Sequence, residues 1–425
     1  MSFVKYNIGI AGAGVAGLAA GILLQQAGHQ VTMLEARSVA GGRIQSLVMN
    51  GFHVEAGPEF IHGNAKETIR LLKKYNIPFV PCDGKMYTAF NGHFQEEEEM
   101  ITGWQDLLEQ MQNLKMDLPF GEFLNKYFPG AEHKDLRHSA VGFAEGFDLV
   151  DIKTASTKAL AIEWLAGESG QYRISVGYYS LIQSMEKEFI SAGGKILFHH
   201  AVESVDCSLK DIRVYVKGLQ PFVMDKFLIC LPVGMLNPSA TTFEGITFNP
   251  PPEQLNTFAQ IGFGSVIKLV TIWKSSFWKT QIPDAHFIFS NGFIPTWWTQ
   301  FPLDLPILTG WLGGPGAEIL SHEPDEFFLE QALETLSAVF SKTVSELKNI
   351  LFDFKVFNWR KEMWSGGAYS YATVKSFQSK VSSLKSWQSR MYFAGEAIYE
   401  GAHPGTVESA LVSGLEAANL LLAEI

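Results

Sequence analysis

The sequence predicts an α/β fold of about two or three domains, and three observations favour this class. The chain has 425 residues, and one domain usually takes about 100 to 200. It opens on a strand, a glycine turn and a helix, and it closes on a second strand, loop and helix. Hydrophobic residues make up 47% and charged residues 18% of the chain, which is typical of a globular protein and excludes a disordered or fibrous one.

The charge balance argues against two classes of partner. Lys and Arg number 33 and Asp and Glu number 44, so the formal net charge is -11. Nucleic acids and anionic membranes select an excess of positive charge, and we therefore expect neither as a partner. A cationic small molecule suits this field better. The composition leaves open whether the chain forms a homo-oligomer.

The three cysteines, Cys82, Cys207 and Cys230, lack the paired spacing of zinc ligands or redox dithiols. We expect no metal site, and a reducing cytoplasm is the simplest location. The apolar stretch from Ile8 to Leu24 carries five glycines and no cleavage site after a basic leader. It indicates a strand and a helix rather than a signal peptide. No apolar run approaches the roughly 20 residues of a membrane helix.

The first unit is predicted as a strand at Asn7–Ala11, a helix from about Val15 to Ala27 and a strand at Gln30–Glu35. The turn between the first strand and the helix reads Gly12-Ala13-Gly14-Val15-Ala16-Gly17. A Gly-x-Gly-x-x-Gly run in this context is the Rossmann fingerprint of a dinucleotide site. A glycine-rich turn with no ligand is the alternative.

Each position of this turn has a physical role in binding a dinucleotide. Gly12 permits the tight turn, Gly14 lets a pyrophosphate approach the backbone, and Gly17 allows close packing of the helix. Val15 and Ala16 open the helix, whose free N–H groups and partial positive charge face the phosphate.

Charged side chains extend this nucleotide site. Glu35 ends the second strand, 18 positions after Gly17, where an acid is needed to bind ribose hydroxyls. Gly41-Gly42-Arg43 adds a second glycine turn with a guanidinium, which suits the outer side of a pyrophosphate. NAD-binding domains rarely need this second turn.

The rest of the chain alternates between helical and strand patterns. The predicted elements are helices around Trp104–Leu114 and Leu181–Ser191, short strands within Gly194–Leu231, strands at Val266–Ile272 and Ala285–Phe289, a helix near Glu326–Leu347, a strand at Met391–Ala394 and a helix at Thr406–Leu422. The strands within Gly194–Leu231 could rejoin the first sheet. The acidic run Glu96–Glu99 is interpreted as a solvated face. No repeat of 20 to 50 residues is visible, which excludes solenoids and propellers.

Four spaced motifs resemble those of one family, in that family's order. They are Leu34-Glu35-Ala36-Arg37 with Gly41-Gly42-Arg43-Ile44, the loop Ala56–Gly63, the segment Gly262–Trp278, and Phe393–Glu396 with Pro404–Val407. By these motifs the chain resembles the flavin-containing amine oxidases, the group of monoamine oxidases, polyamine oxidases and lysine-specific histone demethylases.

The resemblance implies an amine oxidase-like architecture of two domains. The first is a Rossmann-like FAD-binding domain assembled from residues 1–74, 189–261 and 384–425. The second is a discontinuous α+β substrate domain of residues 75–188 and 262–383.

The resemblance also implies which residues hold the FAD. These are Gly12, Gly14, Val15, Ala16, Gly17, Glu35, Ala36, Arg37, Gly42, Arg43, Gly57, Pro58, Glu59, Phe60, Val202, Trp364, Gly395, Glu396, Thr406 and Val407. Thr406 could instead be only a helix N-cap. Animal monoamine oxidases have a flavin-attaching cysteine where this chain has Ala368, so the FAD should be noncovalent.

Four residues are implied as catalytic: Lys268, Tyr369, His62 and Trp359. Lys268 sits inside an apolar strand, where a buried charge is expensive, and by resemblance it holds a water at the flavin N5. A lysine on the solvent face of an edge strand is the alternative. Tyr369 and Trp359 lie in the aromatic segment Asn358–Tyr371, and Tyr369 is expected to form a wall of the amine site. His62 could face the substrate.

The expected reaction is FAD-dependent oxidation of a small-molecule amine. Hydride leaves the carbon beside a neutral amine, water hydrolyses the resulting imine, and molecular oxygen is reduced to hydrogen peroxide. The alternatives are a flavin desaturase or isomerase of polyene or porphyrin type, an L-amino-acid oxidase and, in a different class, a flavin-bearing interaction module.

Glu59 is expected to influence substrate choice. Amino-acid oxidases of this superfamily carry an arginine in the loop that corresponds to Gly57–Phe60. A carboxylate at Glu59 would repel an amino acid and attract a cationic amine. The alternative is that the Glu59 side chain points to solvent or that only its backbone meets the flavin.

Overall fold

The computed structural model describes residues 4–97, 101, 103–166, 170–237, 245–379, 385–401 and 403–425. Its strands, in chain order, are β1 (Asn7–Ala11), β2 (Gln30–Leu34), β3 (Ser46–Met49), β4 (Phe52–Glu55), β5 (Phe60–His62), β6 (Phe79–Pro81), β7 (Lys85–Phe90), β8 (His93–Glu97), β9 (Gln171–Ile174), β10 (Lys195–Leu197), β11 (Val202–Asp206), β12 (Ile212–Val216), β13 (Phe222–Met224), β14 (Lys226–Ile229), β15 (Thr247–Asn249), β16 (Gly262–Phe263), β17 (Val266–Trp273), β18 (Ala285–Ser290), β19 (Thr296–Trp298), β20 (Ile307–Gly313), β21 (Leu351–Asn358), β22 (Ser370–Tyr371), β23 (Ser386–Trp387) and β24 (Met391–Phe393). Its helices are α1 (Val15–Gln26), α2 (Lys66–Lys74), α3 (Trp104–Gln112), α4 (Phe120–Tyr127), α5 (Lys134–Gly146), α6 (Thr157–Ala166), α7 (Tyr179–Ser191), α8 (Val233–Leu236), α9 (Gln254–Phe258), α10 (Gly314–Ile319), α11 (Asp325–Phe340), α12 (Val344–Ile350), α13 (Val374–Gln378) and α14 (Val407–Ala423).

The first and last units of the chain meet in one six-stranded sheet of order β10-β2-β1-β14-β24-β23. Its neighbouring strands are parallel except for β23, which runs antiparallel to β24. Helices α1, α2, α7 and α14 bury one face, and the sheet that contains β12 lies against the other. Because the carboxyl ends of parallel strands meet at one edge, the turns after β1, β2, β14 and β24 converge there.

The six strands of this sheet all lie within the segments 1–74, 189–261 and 384–425 assigned to the nucleotide domain. The boundary at residue 189 stays a prediction. Leu181 and Met185, on the other side of that boundary, pack into the same core as α1.

Helices α1 and α14 cross in close backbone contact. A Cβ at Gly414 would collide with the carbonyl oxygen of Ala16, so only glycine permits this approach. Gly17 lies against the Gly12 carbonyl in the same way, and α1 therefore packs tightly on its own glycine turn.

The second large sheet has the order β21-β17-β20-β19-β18-β7-β8 and is antiparallel except at the β18–β7 pair. Helices α11 and α12 cover it with a separate core. Strand β17 is an interior strand, and all eight of its residues are buried. It carries Lys268, which contradicts the alternative of a solvent-facing edge lysine.

Two of the predicted element groups differ in the structure. The single helix predicted near Glu326–Leu347 is two helices, because Ser341 ends α11 with a left-handed φ of 51°. Of the strands predicted within Gly194–Leu231, β10 and β14 join the first sheet, whereas β11, β12 and β13 form a second sheet with β15.

The acidic run lies partly on the surface of the described ranges. Glu96 is exposed and pairs with Lys85 at 2.8 Å, as predicted for a solvated face. Glu97 is half-buried and lines the large cavity, which the prediction did not anticipate. Glu98 and Glu99 lie outside the described residues. Within the part of the chain that the structure describes, no helix is long and apolar enough to cross a membrane.

A buried carboxyl links the β3–β4 hairpin to α7. Glu55 accepts hydrogen bonds from the Tyr178 N–H and from Ser46 Oγ, both at 2.7 Å, and Tyr178 is the N-cap of α7. Burial raises the pKa of Glu55 to about 7, outweighing these hydrogen bonds and the charge of Lys268, which lower it.

We expect Glu55→Gln to stabilise the protein above neutral pH. A carboxyl pKa raised above its ordinary value of 4.5 gives stability that is complete below about pH 4.5 and is lost as the pH rises through about 7. Gln resembles the protonated acid but does not titrate, so the variant does not lose this stability as the pH rises. The free energy of unfolding of the variant, minus that of the parent, should therefore grow by about 1 to 3 kcal/mol between pH 4.5 and 8 in urea titrations.

Glu188→Gln is the matched control for this measurement. Against the effect of its burial, hydrogen bonds from Lys74 and Tyr75 lower the pKa of Glu188. Its variant-minus-parent difference should therefore fall as the pH rises to about 4.5 and should not grow between pH 4.5 and 8. A Glu55→Gln difference that is flat with pH would contradict the expectation.

Candidate active site

A cavity of about 1880 Å³ is lined by residues of both large sheets. This volume exceeds the roughly 300 to 1,000 Å³ of a pocket for one drug-sized ligand, so a dinucleotide and a second molecule have room. Every residue predicted as catalytic or cofactor-binding lines the cavity except Gly17, which packs on the Gly12 carbonyl.

The lining divides into a nucleotide end and a substrate end. The nucleotide end comprises Gly12, Gly14, Val15 and Ala16 after β1, Glu35, Ala36 and Arg37 after β2, Gly42 and Arg43 in the next turn, Val202 at the start of β11, and Gly395, Glu396, Thr406 and Val407 after β24. The predicted residues nearer the substrate end are Gly57, Pro58, Glu59, Phe60 and His62 around β5, Lys268 on β17, Trp359 and Trp364 after β21, and Tyr369 before β22.

Three glycines leave open space at the nucleotide end. A Cβ at Gly14 would meet no atom within 4 Å, one at Gly42 would meet Gly14 Cα at 3.6 Å, and one at Gly395 would meet the Leu231 oxygen at 3.8 Å. Gly14 is the N-cap of α1 and supplies no side-chain hydrogen bond to it. The first-turn N–H groups of α1 therefore have no side-chain cap and suit an anion.

Glu35 fixes the glycine turn to the end of β2. The Ala13 N–H donates to Glu35 Oε2 at 2.8 Å, and the Arg37 N–H donates to Oε1 at 2.9 Å. A carboxylate has about four acceptor positions, so two remain for hydroxyl groups in the cavity. Arg37 itself pairs with Glu362 at 3.1 Å.

An ion pair joins the second glycine turn to the C-terminal motif. Arg43 Nη1 donates to Glu396 Oε1 at 2.8 Å and to the Ala368 carbonyl at 2.6 Å. Glu396 Oε2 in turn accepts from Ser370 Oγ at 2.5 Å. The pair therefore connects three distant segments around the cavity.

Thr406 is the N-cap of α14. Its Oγ1 accepts from the Ser409 N–H at 3.1 Å and donates to the His403 carbonyl at 2.9 Å. Thr406 is therefore an N-cap, and it also lines the cavity, so its predicted contact with FAD stays a prediction. The positive end of α14 faces the cavity.

Lys268 is buried and held by a single loop. Its Nζ donates to Glu59 Oε2 at 2.7 Å and to the Gly57 carbonyl at 3.2 Å. The ring of Trp298 lies 5.5 Å from Nζ, in cation–π range. Both acceptors belong to the loop Ala56–Gly63, of which Gly57, Pro58, Glu59 and Phe60 were predicted to hold the FAD.

Glu59 does not offer a free carboxylate to the cavity, which corrects the expected role of its charge. Its Oε1 accepts from Arg173 and, at 2.8 Å, from Gln300 Nε2, while Oε2 accepts from Lys268. Burial would raise the pKa of Glu59, but the charges of Lys268 and Arg173 lower it to about 2. The carboxylate is ionised and already paired with two cations. The alternative of a solvent-facing Glu59 is also wrong.

Aromatic side chains wall the substrate end, and hydrogen bonds fix them. Tyr369 Oη donates to the Phe147 carbonyl, Trp311 Nε1 to the Gly146 carbonyl at 2.7 Å, and Trp359 Nε1 to the Ala56 carbonyl at 2.9 Å. Burial, followed by the charges of Asp148 and Glu163, raises the pKa of Tyr369 well above its ordinary value, so the hydroxyl stays protonated.

His62 lies at the same wall. Its Nδ1 is 3.2 Å from Gln171 Nε2, and its ring centroid is 5.8 Å from that of Phe147. The structure thus places His62 beside the substrate end, and its role stays a prediction.

Several site residues were missed from the sequence. Arg173 and Gln300 hold Glu59, whereas the carboxylates Glu145, Asp148 and Glu163 line the substrate end. Arg173 lies in the short strand β9 and the acids lie in or beside α5 and α6. No spacing rule marks them, because they meet only through tertiary packing.

Comparison with known protein families gives a match over most of the chain. The family described as flavin containing amine oxidoreductase matches residues 15–422. The chain belongs to this family. Polyamine oxidase 2 of Arabidopsis thaliana is 24% identical over 96% of this chain and 86% of its own length. Lysine-specific histone demethylase 1B of Mus musculus is 25% identical over 97% of this chain but only 52% of its own length.

A solved structure of putrescine oxidase bound to putrescine shares the fold of this amine oxidoreductase. The TM-score is 0.82 at 17% identity, and the match covers 99% of each chain. The two-domain amine oxidase architecture is therefore confirmed. The cofactor is FAD and the activity is FAD-dependent amine oxidation. These matches do not favour a desaturase, an isomerase or an interaction module.

The cavity of the amine oxidoreductase fits FAD without a covalent bond. The open space at Gly14, Gly42 and Gly395 suits a pyrophosphate. Ala368 lines the cavity and has no group that could form a thioether. Cys230 also lines it, but burial raises the pKa of this thiol strongly, so little of the reactive thiolate forms.

Acid precipitation of the oxidoreductase should release its FAD. We expect yellow flavin in the supernatant and a colourless protein pellet after washing, because no side chain at Ala368 attaches to the ring. A sample of unrelated protein mixed with free FAD measures the flavin that a pellet traps. Flavin colour that stays with the washed pellet would show that an attachment exists.

Proposed function

We propose that this enzyme oxidises amines that carry a second positive charge, such as diamines and polyamines. The proposal depends on the acidic lobe, which we define as Glu145, Asp148 and Glu163. These carboxylates line the cavity at the C-terminal end of α5 and on α6. The lysines and arginines among the described lining residues are Arg37, Arg43 and Lys268, and none belongs to this lobe.

The electrostatics of the acidic lobe favour a remote ammonium group. The partial negative charge of the α5 C-terminus adds to the carboxylates. Asp148 Oδ2 accepts from Trp164 Nε1 at 2.9 Å, and that carboxylate is buried. An amino acid would bring its own carboxylate into this field and be repelled. Charge selection therefore comes from the lobe rather than from Glu59.

FAD, when bound, accepts a hydride from the carbon beside the amine nitrogen. The protein binds and orients the amine. Tyr369, Trp298 and Trp311 supply aromatic faces, each of which attracts a cation or an amine by about 0.5 to 2 kcal/mol. Hydrogen bonds from Tyr369 and Trp311 to backbone carbonyls fix two of those faces before substrate arrives. The same aromatic walls keep water away from the reacting nitrogen.

We propose molecular oxygen as the electron acceptor and hydrogen peroxide as the product. The buried ammonium of Lys268 supports this, because a fixed positive charge stabilises developing superoxide. We further propose a cytoplasmic location, which is compatible with Cys82, Cys207 and Cys230 all being free thiols.

Lys268→Met should leave FAD bound and slow the reaction with oxygen. Met fills a similar volume, and Glu59 keeps its bonds from Arg173 and Gln300. We expect the reduced enzyme to be oxidised at least ten-fold more slowly, or about 1.4 kcal/mol. Stopped-flow mixing of reduced enzyme with oxygen measures this rate. A trace equal to that of the parent would remove Lys268 from the mechanism.

The acidic lobe should control substrate choice. We expect amines to be preferred over the corresponding α-amino acids by at least 100-fold in kcat/KM, about 2.7 kcal/mol.

Glu163→Gln should lower kcat/KM for a diamine by about ten-fold while changing that for a monoamine of equal length by less than about two-fold. Peroxide-coupled assays from pH 6 to 10 measure both, and kcat/KM should rise with pH until the neutral amine predominates.

Glu109→Gln is the matched control for this test. Glu109 is an exposed carboxylate on α3 outside the cavity lining, and its loss should affect both amines equally and slightly. Comparable turnover of an amino acid and its decarboxylated amine would defeat the proposed selectivity.

A further inference from the structure

We propose that Glu59 and Arg173 position the Lys268 ammonium, so that a buried cluster rather than the lysine alone supports the reaction with oxygen. The buried cluster is defined as Glu59, Arg173, Lys268 and Gln300. This inference rests on the oxygen role of Lys268 proposed above and names the residues through which that lysine acts.

The buried cluster is built in layers behind the cavity wall. Lys268 and Glu59 line the cavity, whereas Arg173 and Gln300 do not. Lys268, Arg173 and Glu59 are only 0%, 3% and 7% exposed. The layers therefore place one cation at the wall, the carboxylate next to it and the second cation behind.

The rear layer fixes the orientation of the carboxylate. Arg173 Nη1 and Gln300 Nε2 both donate to Glu59 Oε1. Gln300 Oε1 accepts from the same Arg173 Nη1 at 2.5 Å, and Arg173 Nη2 donates to the Thr299 carbonyl at 3.1 Å. Rotation of the Glu59 carboxylate would break several of these bonds together, so Oε2 is held toward Lys268.

The front layer then fixes the ammonium. A lysine ammonium has three N–H donors, and Glu59 Oε2 and the Gly57 carbonyl accept two of them. One donor is left for a group in the cavity. Its direction is set by the other two, and so by Glu59 and by the loop on which Gly57 and Glu59 lie.

Stability alone does not explain the buried cluster. Removing charges from water costs several kcal/mol per ion. A protein in which apolar side chains of equal volume replace a buried ion pair is often as stable as the parent. The cluster instead supplies charge, since two cations and one carboxylate leave a net charge of +1 beside the cavity. A preorganised charge of this kind is what a developing anion requires.

A double-mutant cycle tests the proposal on the FAD-loaded enzyme. The four proteins are the parent, Glu59→Gln, Lys268→Met and the double variant. Each single variant should slow oxidation of the reduced enzyme at least ten-fold, and the double variant should be no slower than the slower single. The rate of flavin reduction at saturating amine should change less than about three-fold throughout. A further ten-fold loss in the double variant would overturn the coupling.

A second readout uses the protein without FAD. Glu59→Gln leaves Lys268 and Arg173 facing each other without a carboxylate, so the melting temperature of the apoprotein should fall. Adding Lys268→Met removes one of the two cations and should raise it again. A double variant that melts below Glu59→Gln would contradict the proposed arrangement.

The outcomes separate this inference from the proposed function. If reduced Lys268→Met is oxidised at the parent rate, Lys268 has no role in the reaction with oxygen. If Lys268→Met is oxidised slowly but Glu59→Gln is oxidised at the parent rate, only the positioning role of Glu59 is contradicted. If Glu59→Gln does not fold, Arg173→Met keeps the Lys268–Glu59 pair and should slow oxidation at least three-fold, and a parent rate would overturn the proposal. Glu188 does not line the cavity, so Glu188→Gln should match the parent in the rates of flavin reduction and oxidation.

Discussion

The backbone contact between α1 and α14 is the constraint on which the rest of the structure depends. It joins Ala16 to Gly414 and so makes one layer from the two ends of the chain. The N-terminal residues of both helices line the cavity as a result. Glu408, in the first turn of α14, accepts hydrogen bonds from the Glu67 and Thr68 N–H groups at 2.8 and 2.7 Å and thereby caps α2. The Arg43–Glu396 pair joins the second glycine turn to the segment that precedes α14.

The two ends of the cavity suit ligand groups of opposite charge. At the nucleotide end, uncapped N–H groups and open glycine backbone suit a pyrophosphate. At the substrate end, the acidic lobe and aromatic faces suit a cation. Lys268 lies nearer the substrate end, buried on an interior strand and paired with Glu59. The Glu59 carboxylate offsets part of the Lys268 charge. The second cation of the cluster, Arg173, does not line the cavity.

The role of Glu59 shows how burial changes the meaning of a charged residue. From its position in the loop, its carboxylate was expected to attract amines directly. In the structure that carboxylate binds Lys268 and Arg173, and its charge is more than compensated. A carboxylate between two buried cations selects no cationic substrate. Two other carboxylates that line the cavity, Glu145 and Glu163, lie on α5 and α6, far away in sequence.

The sequence by itself determined the nucleotide unit and the family. The turn Gly12–Gly17, Glu35 and the strand of Lys268 have local signatures, because glycine turns, helix starts and apolar strands are set by neighbouring residues. Only the tertiary structure decided which groups share the cavity. Arg173 meets Glu59 across 114 positions and Gln300 meets it across 241. Such pairs depend on sheet order and helix packing, and neither leaves a periodic pattern in the chain.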